Sequence, residues 1–287
     1  MKKLFLLICI LFLALFGQGQ EVTVNTTAGN LRASIVTAVG GEDNLITIRD
    51  LKINGTLNAQ DFANLRSGSG SARVQQTLVS LDLRGGTAVE NKEIPMQAFY
   101  QFTALERVTF PSGGVITTIG ESSFTDCLGL TALTLPEGIT TVMANGFRQG
   151  IGSKLTTLKL PSTLKTIGNG AFYQAVALEQ LTLPEGLAYI DDHAFYSLNN
   201  VKMTGITIPA SVEYIGAQAF ALATYNEKIT FAPRNGKPIE ISGDRTFRSS
   251  GILSDNGLTT FEFPDNTTIS FREKGDGILS GFFSAAD

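Results

Sequence analysis

Residues 155–172 read LTTLKLPSTLKTIGNGAF, and residues 178–195 read LEQLTLPEGLAYIDDHAF. The two stretches keep their leucines, one proline, one isoleucine and a closing Ala-Phe, and differ almost everywhere else. The proline recurs as Pro111, Pro136, Pro161, Pro184 and Pro209, at steps of 25, 25, 23 and 25 residues. A phenylalanine recurs independently as Phe99, Phe124, Phe147, Phe172, Phe195, Phe220 and Phe247, at steps of 25, 23, 25, 23, 25 and 27. Two markers on one period in this range restrict the chain to a stack of similar units, each leaning on its neighbours.

The unit is L-x-x-L-x-L-P-x-x-[LIV]-x-x-I-x-x-x-A-F. In Leu158-Lys159-Leu160, apolar and polar residues alternate, which predicts a short half-buried strand. Pro161 lacks an amide hydrogen, so it ends ladder pairing and turns the chain. A second apolar pair follows, Leu164 and Ile167, matched by Ile139/Val142, Leu187/Ile190 and Val212/Ile215. The Phe is then predicted to bury against the Phe of the next unit. One unit cannot bury these side chains alone, so the fixed residues face inward and stack, while the changing ones face water.

First strands are expected to start at Leu78, Leu105, Leu130, Leu155, Leu178 and Met203, then less regularly near Asn226 and at Leu258. Eight coils about 4.8 Å apart make a solenoid roughly 35–40 Å long. The last two units are irregular, as terminal repeats that close an exposed core usually are. Residues 20–77 fall outside the period and read as an N-terminal cap. Helices are expected at Leu31–Val39 and Ala59–Leu65, short strands at Leu45–Ile48 and Leu51–Ile53, and a flexible loop at Ser67–Ser71. Before the cap, Lys2 and Lys3 precede an apolar run of 13 residues, Leu4 to Phe16, and then Gly17-Gln18-Gly19-Gln20. That is the layout of a secretory signal peptide, too short to span a bilayer and cleaved near Gly19. Cys9 lies mid-run, without the small residues that precede a lipid-modified cysteine. The expected organisation is therefore a signal peptide over 1–19, a cap over 20–77 and a repeat solenoid over 78–287. With no second long apolar run, the mature chain is expected to be soluble and without a transmembrane segment.

The LTLPEG…I…AF combination, at Leu133–Gly138 and Leu181–Gly186, resembles the BspA-type leucine-rich repeat family. LKINGTLNAQDFANLR (51–66) followed by LVSLDLRGG (78–86) also resembles the N-terminal regions of such proteins from gut and oral Bacteroides-like bacteria. The resemblance implies a right-handed solenoid of short β-strands with short helical or 3-10 turns, capped by a small α+β segment. It also implies a secreted or surface location and a role in adhesion or host-protein binding, without a catalytic site. Family repeats often carry Cys shortly after the Phe. Here only Cys127 does; Gly150, Ala175, Leu198 and Ala223 stand in its place. No sorting or anchoring segment is recognisable after Phe283.

Little in the chain suggests chemistry. Removing the leader takes Lys2 and Lys3 from 22 basic residues, leaving 20 against 26 acidic ones, a balance that disfavours nucleic acid or anionic membrane as partner. Only Cys127 then remains, so no internal disulfide can form, and apolar content of 43% must supply the stability. Cys127 has small or apolar equivalents and reads as a buried, inert thiol. His193, the single histidine, sits in Asp191-Asp192-His193, in the variable slot before Ala-Phe. Adjacent residues rarely converge on one ion, so that slot reads as a solvent-facing turn rather than a metal site. Gly275–Gly281 reads GxGxxxG without a βαβ context, so it is a capping loop rather than a phosphate loop. No nucleophile elbow, zinc-protease helix or calcium loop occurs. The sequence therefore predicts no enzyme, no metal and no cofactor.

What remains is surface. The outward position of the first strand runs Asp82, Thr109, Thr134, Lys159, Thr182, Thr207, Thr230 and Glu262. This threonine ladder either stabilises a sheet or offers a flat docking face. The outward position of the second strand runs Thr118, Thr141, Thr166, Tyr189 and Tyr214, which predicts two neighbouring tyrosines. Tyrosine is enriched at interfaces because it joins a large ring to a polar tip. Tyr173 and Tyr196, each just after the repeat Phe, extend a patch on another edge. The sequence thus predicts a non-catalytic binding or adhesion protein with an extracellular or host protein as partner. Its candidate contacts are Tyr189, Tyr214, Thr182 and Thr207. Polysaccharide capture, disfavoured by the absence of tryptophan, and a structural surface role are the alternatives. The sequence carries no sign of the oligomeric state.

Overall fold

The structure, a computed structural model, describes residues 19–66, 74–150, 152–198, 205–222, 229–235, 237–242, 261–262 and 269–272. The leader, the Ser67–Ser71 loop, Phe247, the strand starts at Met203, Asn226 and Leu258, and the Gly275–Gly281 loop lie outside the described residues.

The N-terminal part holds three long strands, β1 (Gln20–Thr26), β2 (Ile48–Leu57) and β3 (Ser80–Val89). They pair in parallel, β1 on β2 and β2 on β3, and β3 pairs onward with Arg107–Thr109 of the next repeat. Parallel neighbours need a crossover between them. α1 (Leu31–Val39) supplies the first, and α2 (Ala59–Arg66) with the single turn Val74–Thr77 lies in the second. Leu31, Ile35 and Val39 of α1 are buried, one stripe at four-residue spacing. Gly40, at φ 76°, ends the helix in the left-handed conformation, and the Gly40 and Gly41 amides donate to Thr37 and Val36. The start of α1 is held from a distance. Asp61, fully buried on α2, accepts the Gly29, Leu31 and Asn58 amides at 2.9 Å each. Its negative charge therefore sits at the electropositive end of α1.

Two expectations in this region change. Leu45–Ile48 is not a strand: Glu42–Thr47 forms a 3-10 helix that buries Leu45, and β2 begins at Ile48 and runs through the expected Leu51–Ile53. A four-residue apolar run is too short for its period to separate the two forms. β1 is an additional strand, marked by the alternating burial of Val22, Val24 and Thr26.

From Glu93 onward, the repeats are built on two series of short strand segments. The second ones are Glu93–Ile94, Thr118–Ile119, Thr141–Val142, Thr166–Ile167, Tyr189–Ile190, Tyr214–Ile215, Ile239–Ser242 and Ile269–Arg272. They form one parallel sheet in chain order, here called the second ladder. The first ladder is interrupted. Ala132–Thr134 pairs with Thr157–Lys159, and Ile206–Ile208 pairs with Ile229–Phe231, which pairs with Phe261–Glu262. Between them the repeat at Leu178–Leu183 contributes only a bridge from Gln180 to Thr157.

The third side is built of turns that also hydrogen-bond from repeat to repeat. The Phe124, Phe147, Phe172 and Phe195 amides donate to Gly146, Ala171, Ala194 and Ala219, all at 2.8 Å. Two residues before each Phe, Gln97, Ser122, Asn145, Gly170, His193 and Gln218 all have φ between 53° and 58°. That left-handed conformation disfavours β-branched and bulky side chains, which explains why the slot before Ala-Phe holds Gly, Asn and small or polar residues.

Inside runs one aromatic column. Phe99, Phe124, Phe147, Phe172, Phe195 and Phe220 stack with centroids 5.0 to 5.6 Å apart. Phe62 of α2 meets Phe99 edge-on at 5.6 Å and continues the column into the N-terminal part. Each of these rings is at most 1% exposed, and burying one stabilises the fold by about 1.5–3 kcal/mol. The protein is a repeat protein of parallel strands and few helices, as the period predicts.

Candidate functional site

The second ladder sets the site geometry. In its two-residue strands the second position is buried and the first faces outward, so the outward residues form one row. The register pairs Thr118 with Thr141, Thr141 with Thr166, Thr166 with Tyr189, Tyr189 with Tyr214, and Tyr214 with Glu240. The two tyrosines are therefore direct neighbours on adjacent strands, and Tyr189 is 47% exposed. Around them lies an open depression of about 530 Å³, lined by Thr166, Tyr189, Asp191, Glu213, Tyr214 and Glu240. Its polar chemistry is acidic and phenolic. The Tyr189 hydroxyl donates to Glu213 at 3.4 Å.

Thr182 and Thr207 belong elsewhere. Both are exposed, but Thr207 is in the first ladder, paired with Thr230, and Thr182 follows the Gln180 bridge. The structure brings the two tyrosines together and separates them from the two threonines. Sequence reasoning missed Glu213, Glu240 and the part Asp191 plays in this depression. Glu213 stands where neighbouring repeats have Thr117, Thr140, Lys165 and Ala188, and Asp191 where they have Gly120, Met143, Gly168 and Gly216. Those breaks in the pattern were the available signal. Glu240 had none, because its repeat carries Pro233 one place late and its register was not readable.

A second aromatic strip lies on the turn side. Tyr173 and Tyr196 stack at 4.8 Å with planes 1° apart, Arg148 sits 4.9 Å over Tyr173, and His193 tilts against Tyr196 at 5.6 Å. These contacts occupy much of the ring faces. Cys127 is fully buried, its thiol donates to the Phe99 carbonyl at 3.1 Å, and burial raises its pKa well above the usual thiol range. Such a thiol does not ionise to a nucleophile at neutral pH. Beside His193, Asp191 accepts the Asp192 amide and Asp192 accepts the Ala217 amide. Among the described residues no three of His, Cys, Asp and Glu are grouped so as to hold a metal ion. None of the described helices is long and apolar enough to cross a membrane.

The repeat geometry agrees with a family comparison. The family model of the BspA type leucine rich repeat region, in six copies, matches residues 92–225 and 151–272, more than half of the chain. The chain belongs to the BspA-type leucine-rich repeat family. Similar solved structures include a leucine-rich repeat protein from Bacteroides ovatus, 15% identical with a TM-score of 0.42, covering 80% of this chain and 69% of that one. A leucine rich cell surface protein from Faecalibacterium prausnitzii is 16% identical with a TM-score of 0.41, covering 74% and 60%. The pneumococcal vaccine antigen PcpA is 16% identical with a TM-score of 0.29, covering 79% and 69%. No curated protein matches the chain. Within the BspA-type repeat, the depression lies at the outward positions of the second strand, clear of the leucines, isoleucines and phenylalanines that define the family motif.

Proposed function

We propose that this BspA-type protein is a non-catalytic, secreted or cell-surface binding protein that holds a macromolecular ligand, most simply a protein. Each repeat is one turn of a right-handed solenoid, residues 1–19 are removed on export, and residues 20–77 cap the stack. Proteins of this family are typically secreted or surface-displayed, which supports the location. One observation carries the binding reading. Tyr189 and Tyr214 are register partners at an open depression, and they interrupt a row of threonines that would serve a sheet equally well alone. Thr182 and Thr207 belong to a separate line of contact on the first ladder.

The test uses purified residues 20–287 on a sensor surface, exposed to a panel of extracellular-matrix proteins, mucins and polysaccharides. Saturable binding to a protein is the expected result. A response to polysaccharides alone would replace this reading with glycan capture. Silence across the panel, with self-association in light scattering, would replace it with a structural surface role.

A further inference from the structure

The lining of the depression specifies a partner chemistry, an inference that rests on the binding role just proposed. Six residues line it: two phenol rings, one hydroxyl and three carboxylates, with no basic side chain among them. All three carboxylates come from different strands or their flanks. Glu213 immediately precedes Tyr214, Asp191 follows Ile190, and Glu240 pairs with Tyr214 across the ladder. Two basic side chains near it are committed elsewhere. The Lys165 ammonium donates to the Gly186 carbonyl, and the buried Arg234 guanidinium donates to the Pro209, Val212, Lys237 and Pro238 carbonyls.

The same ladder shows what the fold requires at these positions. The three preceding repeats place Thr118, Thr141 and Thr166 in the outward row, and the position equivalent to Asp191 is glycine at Gly120, Gly168 and Gly216 but methionine at Met143. A Cβ at Gly216 would come within 2.4 Å of the Asp192 amide nitrogen, and one at Gly168 within 2.9 Å of the Met143 carbonyl carbon. Glycine at this position is thus a packing necessity in those repeats. Pro95 and Met143 also depart from it, but Asp191 is the departure that brings a carboxylate, and it lies where the tyrosines begin. Ring and carboxylate changes coincide on one short stretch of the sheet.

We infer that this depression receives arginine or lysine side chains from a basic segment of the protein partner. The tyrosine rings supply faces for the cation, and Asp191, Glu213 and Glu240 supply carboxylate charge. The carboxylates are not gathered as a metal site would need, whereas a basic segment presents its charges several ångströms apart. The arrangement fits an extended basic segment better than a compact ion.

The probe is a fluorescent hexa-arginine peptide, titrated with the purified chain at low and at physiological salt. A hexa-glutamate peptide serves as the control of opposite charge. Three variants are compared: Asp191→Asn/Glu213→Gln/Glu240→Gln, Tyr189→Ala/Tyr214→Ala, and Asp43→Asn/Glu121→Gln/Glu185→Gln. The last removes the same charge from exposed positions outside the depression, and circular dichroism verifies that each variant is folded. The expected result is saturable binding of hexa-arginine, weakened about tenfold or more by the first variant and unchanged by the third. Equal loss from the first and third variants would overturn the inference by tracing binding to net charge. No binding of hexa-arginine to the unaltered chain would overturn it too. If a protein from the matrix panel binds and only the tyrosine variant loses it, the cationic reading fails while the binding role stands. If no panel protein binds either, the binding role fails with it.

Discussion

Tyr189 and Tyr214 are register partners on adjacent parallel strands, each with a buried isoleucine, Ile190 and Ile215, as the next residue. The isoleucines hold the backbone from inside, and the tyrosines contribute cross-strand contact from outside. Such pairs are worth about 0.2–1 kcal/mol. Tyr189→Ala and Tyr214→Ala are therefore expected to lower stability by about 1 kcal/mol or less each in urea unfolding. A loss of several kcal/mol would mean the rings are part of the core rather than a surface.

Phe172 is the contrast. It lies between Phe147 at 5.6 Å and Phe195 at 5.4 Å and is fully buried. Phe172→Ala leaves a cavity shared by three repeats, and about 3–5 kcal/mol of stability should be lost. Far-ultraviolet circular dichroism across a denaturant series measures it. A loss under about 1 kcal/mol would contradict the aromatic column as the core.

Arg234 is 2% exposed and donates to four backbone carbonyls, with no carboxylate bonded to it among the described residues. It anchors the stretch in which the repeat proline has shifted to Pro233. Desolvation lowers its pKa, yet arginine remains a cation at neutral pH. Arg234→Met leaves the carbonyls without a donor, each buried orphan costing about 1–3 kcal/mol. The expected outcome is a loss of about 2 kcal/mol or more, with Arg234→Lys recovering only part. Protection of the amides around Ile239–Ser242 in hydrogen exchange should fall first. Unchanged protection there would show that the guanidinium does not hold this segment.

Glu137 links one repeat to the next, accepting the Ser162 amide and hydroxyl at 2.9 Å and the Thr163 amide at 3.3 Å. These bonds favour the carboxylate and lower its pKa. A lowered folded-state pKa contributes stability above the unfolded value and loses it as pH falls through the folded value. Glu137→Gln should thus lower the melting temperature at neutral pH, with the difference shrinking as the solution is acidified below the carboxylate range. A difference that stayed constant with pH would exclude this cause.

The repeat was legible because its fixed residues mark separate structural duties. Pro161 ends pairing, Ile167 is buried, and Phe172 stacks, so the period could be read without knowing the variable residues. The outward row was legible for the same reason, since strand alternation places Tyr189 and Tyr214 on one face. The acidic lining was not. Glu240 reaches Tyr214 only through a register that an irregular proline conceals, and Asp191 was read as part of a turn rather than of the sheet face. In the N-terminal part, Leu45–Ile48 looks extended from sequence, whereas the chain turns tightly around buried Leu45 and becomes extended only at Ile48, which is also buried. Asp61 would have required knowing that α2 lies against the start of α1, a contact between residues 30 positions apart.

The claim that the tyrosine face of the second ladder binds a protein is tested most directly by comparing two double variants over the same panel of matrix proteins and mucins. The account predicts that Tyr189→Ala/Tyr214→Ala abolishes saturable protein binding while the melting temperature changes little. Thr182→Ala/Thr207→Ala, on the first ladder, should retain most of it. Binding that survives the tyrosine variant, or is lost only in the threonine variant, would contradict the assignment.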